Sequence, residues 1–189
     1  ELYQTFSDFG TGSPMARFEQ LGNLPIRNFR DGIFPGVEKI SAVALKETIS
    51  VGMDGCFACP VRCKKMVACE QPYHVDRAYG GPEYETIYAM GSNCGIDHLG
   101  ALTKANYICN EQGMDTITMG STIACAMEMC EKGYIPENEV GIGRPLRFGD
   151  ADALVELTRP FAKQKACRTT ARIVLDMLSR ESAGSSDNN

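Results

Sequence analysis

The sequence has no tryptophan and only two histidines, His74 and His98. They are too far apart to form the closely spaced histidine pair of a zinc finger, so a zinc site would have to be built almost wholly from cysteine. No run approaches the ~18 apolar residues that a spanning helix needs, and Glu1-Leu2-Tyr3-Gln4 lacks the basic and apolar regions of a signal peptide. These features lead us to expect a cytoplasmic chain with no membrane attachment. A basic surplus is missing as well: 19 Lys and Arg face 24 Asp and Glu, a net charge of -5, and no lysine or arginine run offers a nucleic-acid footprint. There is no initiator methionine, so the 189 residues read as a section of a longer chain.

What the chain does hold is apolar residues, 43% of the total, and nine cysteines. The apolar share suffices for one sizeable core. Nine cysteines in a chain without a secretion signal point to a reducing compartment, where thiols act as ligands and not as disulfides. Apolar and polar residues hardly ever alternate, so the fold class expected is mainly α, with a β contribution at most in residues 24–34 and 65–75.

Three regions follow from composition. Residues 1–14, ending in Gly10-Thr11-Gly12-Ser13-Pro14, read as a flexible entry. Residues 15–157 carry the helical patterns, and residues 158–189 form a tail whose polar end, Ser182 to Asn189, is expected to be disordered. Within the helical region Met15 to Leu21 is one short helix, and Ser41 caps another through about Ile49. Pro82-Glu83-Tyr84-Glu85-Thr86 opens a helix, with proline at its first position and acids in its first turn. Asp97 is the expected N-cap of a helix reaching Glu111, stopped by Gly113. A further helix spans Thr116 to Lys132, apolar almost all round and therefore buried, its methionines serving as packing material. Asp150 caps the last, from Ala151 to about Leu157.

The chemistry is concentrated in Cys56-Phe57-Ala58-Cys59-Pro60-Val61-Arg62-Cys63. Two thiols two residues apart can turn toward a common point with little strain, and the third returns to the same side. Pro60 argues for a loop here and not a continuing helix. The spacing fits an iron-sulfur cluster, a zinc site completed from elsewhere, or thiols in a core, and the fourth ligand is missing from all local patterns. Glu83 and Glu85 have a plain reading too, as first-turn carboxylates favoured by the helix dipole.

In their order, Phe34-x-Gly36-x-Glu38-Lys39-Ile40-Ser41, the cysteine stretch, Gly81-Pro82-Glu83-Tyr84-Glu85-Thr86, Gly91-Ser92-Asn93-Cys94-Gly95-Ile96 and Gly113-Met114-Asp115-Thr116-Ile117 resemble the tungsten-containing aldehyde ferredoxin oxidoreductase family. The resemblance runs from about Ala16 to Leu157. It implies the middle, helical domain of an enzyme that oxidises aldehydes to carboxylates at tungsten, or molybdenum in some relatives, bound by two pterin dithiolenes. Electrons would leave through a 4Fe-4S cluster to ferredoxin. Some related proteins are tungsten subunits of aromatic-ring reductases. The family's β-rich saddle domain and most of its last helical domain have no counterpart in these residues, so the isolated chain is expected to be inactive. An inert fragment binding iron-sulfur or zinc through these cysteines plus Cys69, Cys94 or an external ligand is the alternative.

Carried over by motif, Cys56, Cys59 and Cys63 match three cluster ligands, while the fourth family cysteine belongs to a later D-x-x-G-L-C motif not found here. Glu85 matches the carboxylate facing the metal, with Glu83 second; its implied role is to accept a proton as electrons move onto the metal. Asn110-Glu111-Gln112-Gly113-Met114-Asp115 stands at the family's pterin motif D-x-x-G-L-D. Asn110 departs from Asp, and Asp115 also reads simply as the N-cap of the next helix. Lys104-Ala105-Asn106-Tyr107 replaces the E-x-x-H pair that carries a metal between subunits in some members, so a homodimer here would rest on packing. After Leu157 the motifs end, which suggests a truncated, frame-shifted or deliberately cut product, with Ile173 to Leu178 able to form one more helix.

Overall fold

The computed structural model describes residues 2–136 and 140–162; for residues 160–162 it describes the backbone only. The readings made above for residues 163–189 lie outside the described residues. Seven α-helices and one two-stranded sheet stand among them: α1 (Leu2–Phe9), α2 (Met15–Gln20), α3 (Ala42–Thr48), β1 (Ser50–Asp54), β2 (Lys64–Val67), α4 (Tyr84–Met90), α5 (Leu99–Gln112), α6 (Thr116–Glu131) and α7 (Ala151–Ala162). The fold is mainly α, as the sequence pattern predicts.

Packing follows from where the small and apolar residues fall. Helix α4 lies along α6, and α5 lies along α7. Ile40, Ile87, Met90, Leu102, Ile123, Met127, Leu146 and Leu154 form the centre of the core. Helix α6 buries Met119, Ile123, Ala124, Met127 and Met129, so its methionines do fill the interior. Gly120 is the tightest point: a Cβ there would stand 2.5 Å from the Ala89 carbonyl carbon and 2.8 Å from the Met90 amide nitrogen. The backbones of α4 and α6 therefore meet with no side chain between them.

Caps behave largely as the sequence suggests. Ser41 accepts from the Ala44 amide at the start of α3, and Asp150 accepts from the Ala153 amide at the start of α7. One expectation is corrected. The cap of α5 is His98, whose Nδ1 accepts from the Ala101 amide, because the neighbouring Asp97 carboxylate is engaged by Lys39 at 2.6 Å. Within the entry expected to be flexible, Leu2–Phe9 is helical, Lys46 Nζ sits 4.4 Å from the centre of the Phe9 ring, and the Tyr3 hydroxyl donates to the Pro60 carbonyl. This helix stands beside the cysteine stretch. Helix α7 runs on past Leu157 to Ala162.

The strands also differ from expectation. No strand lies in residues 24–34. β1 forms in residues 50–54 instead, pairing antiparallel with β2 through Gly52↔Met66, Met53↔Lys65 and Asp54↔Lys64, with an irregularity after Ser50. Of the two segments expected to contribute β structure, residues 65–75 supply part of β2 and a bridge between Cys69 and Val75. The cysteine stretch is thus the loop of a hairpin, not an extension of α3.

Candidate functional site

The hairpin loop runs from Gly55 to Cys63 and carries all three clip cysteines. Gly55 lets its two limbs come together, since a Cβ there would stand 3.1 Å from the Arg62 Cα. The Cys59 amide donates to the Cys56 carbonyl at 3.0 Å, closing a turn over these residues. Ala58 and Arg62 then adopt left-handed backbone, at φ +57° and +53°. Such a conformation costs a non-glycine residue roughly 1–2 kcal/mol. These reversals keep the short loop folded back on itself and leave Cys56 exposed, with Cys59 and Cys63 half-buried.

The three thiols share a loop, yet no three Cys, His, Asp or Glu side chains among the described residues are drawn together closely enough to hold a metal ion. The local candidates for a fourth ligand are elsewhere. Cys94 is fully buried between α4 and α6, its thiol donating to the Ala89 and Gly120 carbonyls at 3.4 Å, and burial pushes it far above the ordinary thiol range. Cys69 lies beyond the end of β2 remote from the loop, its thiol on the Tyr73 carbonyl at 3.1 Å. His74 pairs with Glu70, and His98 is occupied as a cap. The donor set at the loop is therefore purely thiol, which suits a thiolate-held cluster better than a mixed zinc site.

From the loop the chain enters β2, where side chains alternate: Lys64 outward and exposed, Lys65 inward and buried, Val67 inward and buried. Lys65 is 1% exposed. Its Nζ makes no hydrogen bond among the described residues and lies 3.6 Å from Glu83 Oε2, near enough for an ion pair and too far for a hydrogen bond. Burial lowers its proton affinity, and the nearby Glu83 and Glu85 carboxylates oppose that.

Gly80 and Gly81 lay the next segment directly on β2. The Gly81 amide donates to the Lys65 carbonyl at 2.7 Å, and a Cβ on Gly81 would stand 2.7 Å from Val67 Cγ1. Helix α4 starts there. Thr11, from the segment after α1, donates its hydroxyl to Glu83 and accepts from the Tyr84 amide at 3.0 Å. Glu83 is thus held from two sides. Glu85 is exposed and makes neither a hydrogen bond nor an ion pair among the described residues.

The pterin-type motif closes α5 and opens α6. The Gly113 amide donates to the Asn110 carbonyl at 3.3 Å and the Met114 amide to the Cys109 carbonyl at 2.8 Å, with Gly113 left-handed at φ +67°. This double closure is a Schellman end. Asp115 then caps α6, accepting from the Thr118 amide at 2.6 Å. The hydrogen bonds from Thr118 hold its carboxyl below the usual range. Asn110 turns its amide back to the Asn106 carbonyl at 2.9 Å. Asn110, Gly113 and Asp115 are exposed, whereas Met114 is half-buried against the core.

Thr86 and Thr116 join the acid motif to this turn, their hydroxyls 2.7 Å apart with Thr86 buried. Glu85 and Asp115 each stand one residue before a member of that pair. Tyr88 feels both acids: burial first, then Glu85 and Asp115, raise its hydroxyl above its ordinary range. The hairpin, the start of α4 and the α5–α6 turn therefore form one connected chain of contacts, through Lys65, Glu83, Thr86 and Thr116. Sequence reasoning missed Lys65, Thr11 and the threonine pair. The alternation along β2 was the one available signal for Lys65.

The Asp115 cap yields a measurable expectation. Asp115→Ala should lower stability by about 1 kcal/mol at neutral pH in urea unfolding. Because the folded-state carboxyl titrates lower than the unfolded one, its contribution is complete above about pH 4 and is lost as pH falls through the folded value. The gap between wild type and variant should narrow in acid; a gap independent of pH would contradict the carboxylate cap.

The sequence that carries these motifs matches a known family. The profile described as "Aldehyde ferredoxin oxidoreductase, domains 2 & 3" matches residues 1–171, and the chain belongs to the aldehyde ferredoxin oxidoreductase family. The match begins before Ala16 and extends beyond Leu157, the limits at which the recognisable motifs stop. Among individual relatives, the tungsten-containing aldehyde ferredoxin oxidoreductase of Pyrococcus furiosus is 34% identical over 157 residues, 83% of this chain and 25% of that protein. That of Thermococcus kodakarensis is 36% identical over 146 residues, 77% of this chain and 24% of that protein. A protein described as "Aliphatic sulfonate oxidoreductase, WOR-like subunit" from Pyrococcus furiosus is 26% identical over 155 residues, 81% of this chain and 24% of that protein. The chain spans about a quarter of the length of these relatives.

Proposed function

We propose that this chain is the cluster- and pterin-contacting section of an oxidoreductase that converts an aldehyde to a carboxylate at tungsten, with ferredoxin as electron acceptor. The observation that carries the reading is the contact chain running from the cysteine hairpin to the acids of α4 and on to the Asp115 turn. Cys56, Cys59 and Cys63 would hold a 4Fe-4S cluster together with one ligand from outside these residues. Asn110, Gly113, Met114 and Asp115 would meet a pterin, whose ring amines are donors suited to the exposed Asp115 carboxylate and the carbonyls at the end of α5. When bound, the tungsten bis-pterin would supply two-electron oxidation and the cluster a one-electron carrier.

The part left to this chain's own side chains is proton handling and placement. Glu85 is the exposed, uncommitted carboxylate of the acid motif and is suited to accept the proton released as the aldehyde carbon is oxidised. Glu83 is committed to Lys65 and Thr11, and so acts as a structural acid. Gly113 and the Schellman end fix the direction in which Asp115 emerges.

Anaerobic expression with iron, sulfide and tungsten analysis, EPR of the reduced protein, and aldehyde-dependent reduction of a viologen would test this reading in the full-length protein. Cluster iron that is lost from Cys56→Ser, Cys59→Ser and Cys63→Ser variants, with tungsten-dependent activity, is the expected result. Zinc at the cysteines, or iron independent of all three, would overturn it.

A further inference from the structure

Resting on the cluster reading above, we propose that Lys65 is a positioning residue of the cysteine hairpin. Its buried ammonium ties the loop to the start of α4 and sets a fixed positive charge beside the cluster that Cys63 helps to hold.

The argument starts from how poorly this lysine is used as a core residue. Nothing is gained by burying an ammonium where an apolar side chain of the same length would fill the space, because a buried charge must recover its lost hydration from partners. Lys65 recovers little: it has three donor protons and makes no hydrogen bond among the described residues, and its nearest acid stands off at 3.6 Å. An under-compensated buried cation favours further negative charge nearby. A cluster on cysteine thiolates would add negative charge on the Cys63 side, and net charge near such a cluster is one determinant of its potential.

The surroundings hold the ammonium at that point. Gly10 packs over it so closely that a Cβ would stand 2.4 Å from Nζ and 2.8 Å from the Cys63 carbonyl oxygen. Thr11, the next residue, holds Glu83, and the Gly81 amide holds the Lys65 backbone. Three separate segments thus converge on one side chain: the turn after α1, the root of the hairpin and the start of α4.

Two substitutions in the full-length protein separate this role from ordinary packing. Lys65→Met keeps the length and removes the cation, so it should move the cluster midpoint, followed by EPR-monitored redox titration, to more negative values. A tenfold change in the reduction equilibrium, about 59 mV for one electron, is the size expected. Glu83→Gln removes the compensating anion and should move the midpoint in the opposite direction. Hydrogen exchange supplies an arm that needs no iron: Glu83→Gln leaves the buried ammonium without its acid, so amides of β1, β2 and the intervening loop should exchange at least tenfold faster in that variant than in wild type. Midpoint shifts of the same sign in both variants, or unchanged midpoints, overturn the proposal, as does unchanged hairpin exchange in Glu83→Gln. Absence of a cluster from wild-type protein would instead overturn the cluster reading, and the exchange arm would still decide whether Lys65 ties the hairpin down.

Discussion

Replacing Glu85 by Gln in the full-length protein should lower aldehyde-dependent turnover by roughly 10²–10⁴-fold, the range that general acid-base groups contribute, while iron content and unfolding midpoint stay close to wild type. The expectation of a clean kinetic effect comes from the side chain's position. Glu85 is exposed and uncommitted among the described residues, so its loss leaves no buried partner stranded. Glu83 is the control. It holds Lys65 and the Thr11 hydroxyl, so Glu83→Gln should cost stability even where turnover survives. Viologen-coupled rates and urea unfolding on both variants would decide the assignment. Full activity in Glu85→Gln with severe loss in Glu83→Gln at equal stability would transfer the proton-accepting role to Glu83.

Gly120→Ala should destabilise the fold by roughly 1–3 kcal/mol despite the better helix propensity of alanine. In an open helix the change would favour folding by about 0.5–1 kcal/mol. Here the new methyl would fall 2.5 Å from the Ala89 carbonyl carbon and 2.6 Å from its oxygen, atoms of another helix's backbone that cannot rotate aside. The two helices must separate, and the consequences reach the site. Cys94 loses its placement against the Gly120 carbonyl, and the Thr86–Thr116 pair, which spans the same two helices, is pulled apart. A shift of the urea midpoint toward lower concentration checks this; an unchanged or raised midpoint would mean that α4 and α6 do not meet as closely as described.

The parts of this molecule legible in its sequence are those set by local chemistry. Ser41, Asp115 and Asp150 as caps and Gly113 as a helix stop need only neighbours within a few residues, and each stands where the pattern indicates. The α6 helix was legible because its apolar residues surround it. Elements decided by distant partners were not. Asp97 has the better capping side chain, but Lys39 engages it from 58 residues away and the cap passes to His98. β1 contains Gly52 and a register irregularity, with little of the alternation that marks a strand. Lys64 and Lys65 are chemically identical in the sequence, and only the pairing of β2 decides that the second turns inward. The contacts that link the candidate motifs were not legible, because each link joins residues at least 18 apart in the chain.

The packing of Gly10 and Thr11 over Lys65 has a consequence for native fluctuations. Thr11 and Glu83 are 72 residues apart, and Thr86 and Thr116 only 30. Closing the longer span costs about 0.6 kcal/mol more for each doubling of loop length. The amino-terminal strap is also thinly anchored, since α1 buries no residue. Sub-global opening should therefore begin there, peeling residues 2–11 away while α4 and α6 stay joined. Water then reaches the Lys65 ammonium and the root of the cysteine loop first, without the core having to melt.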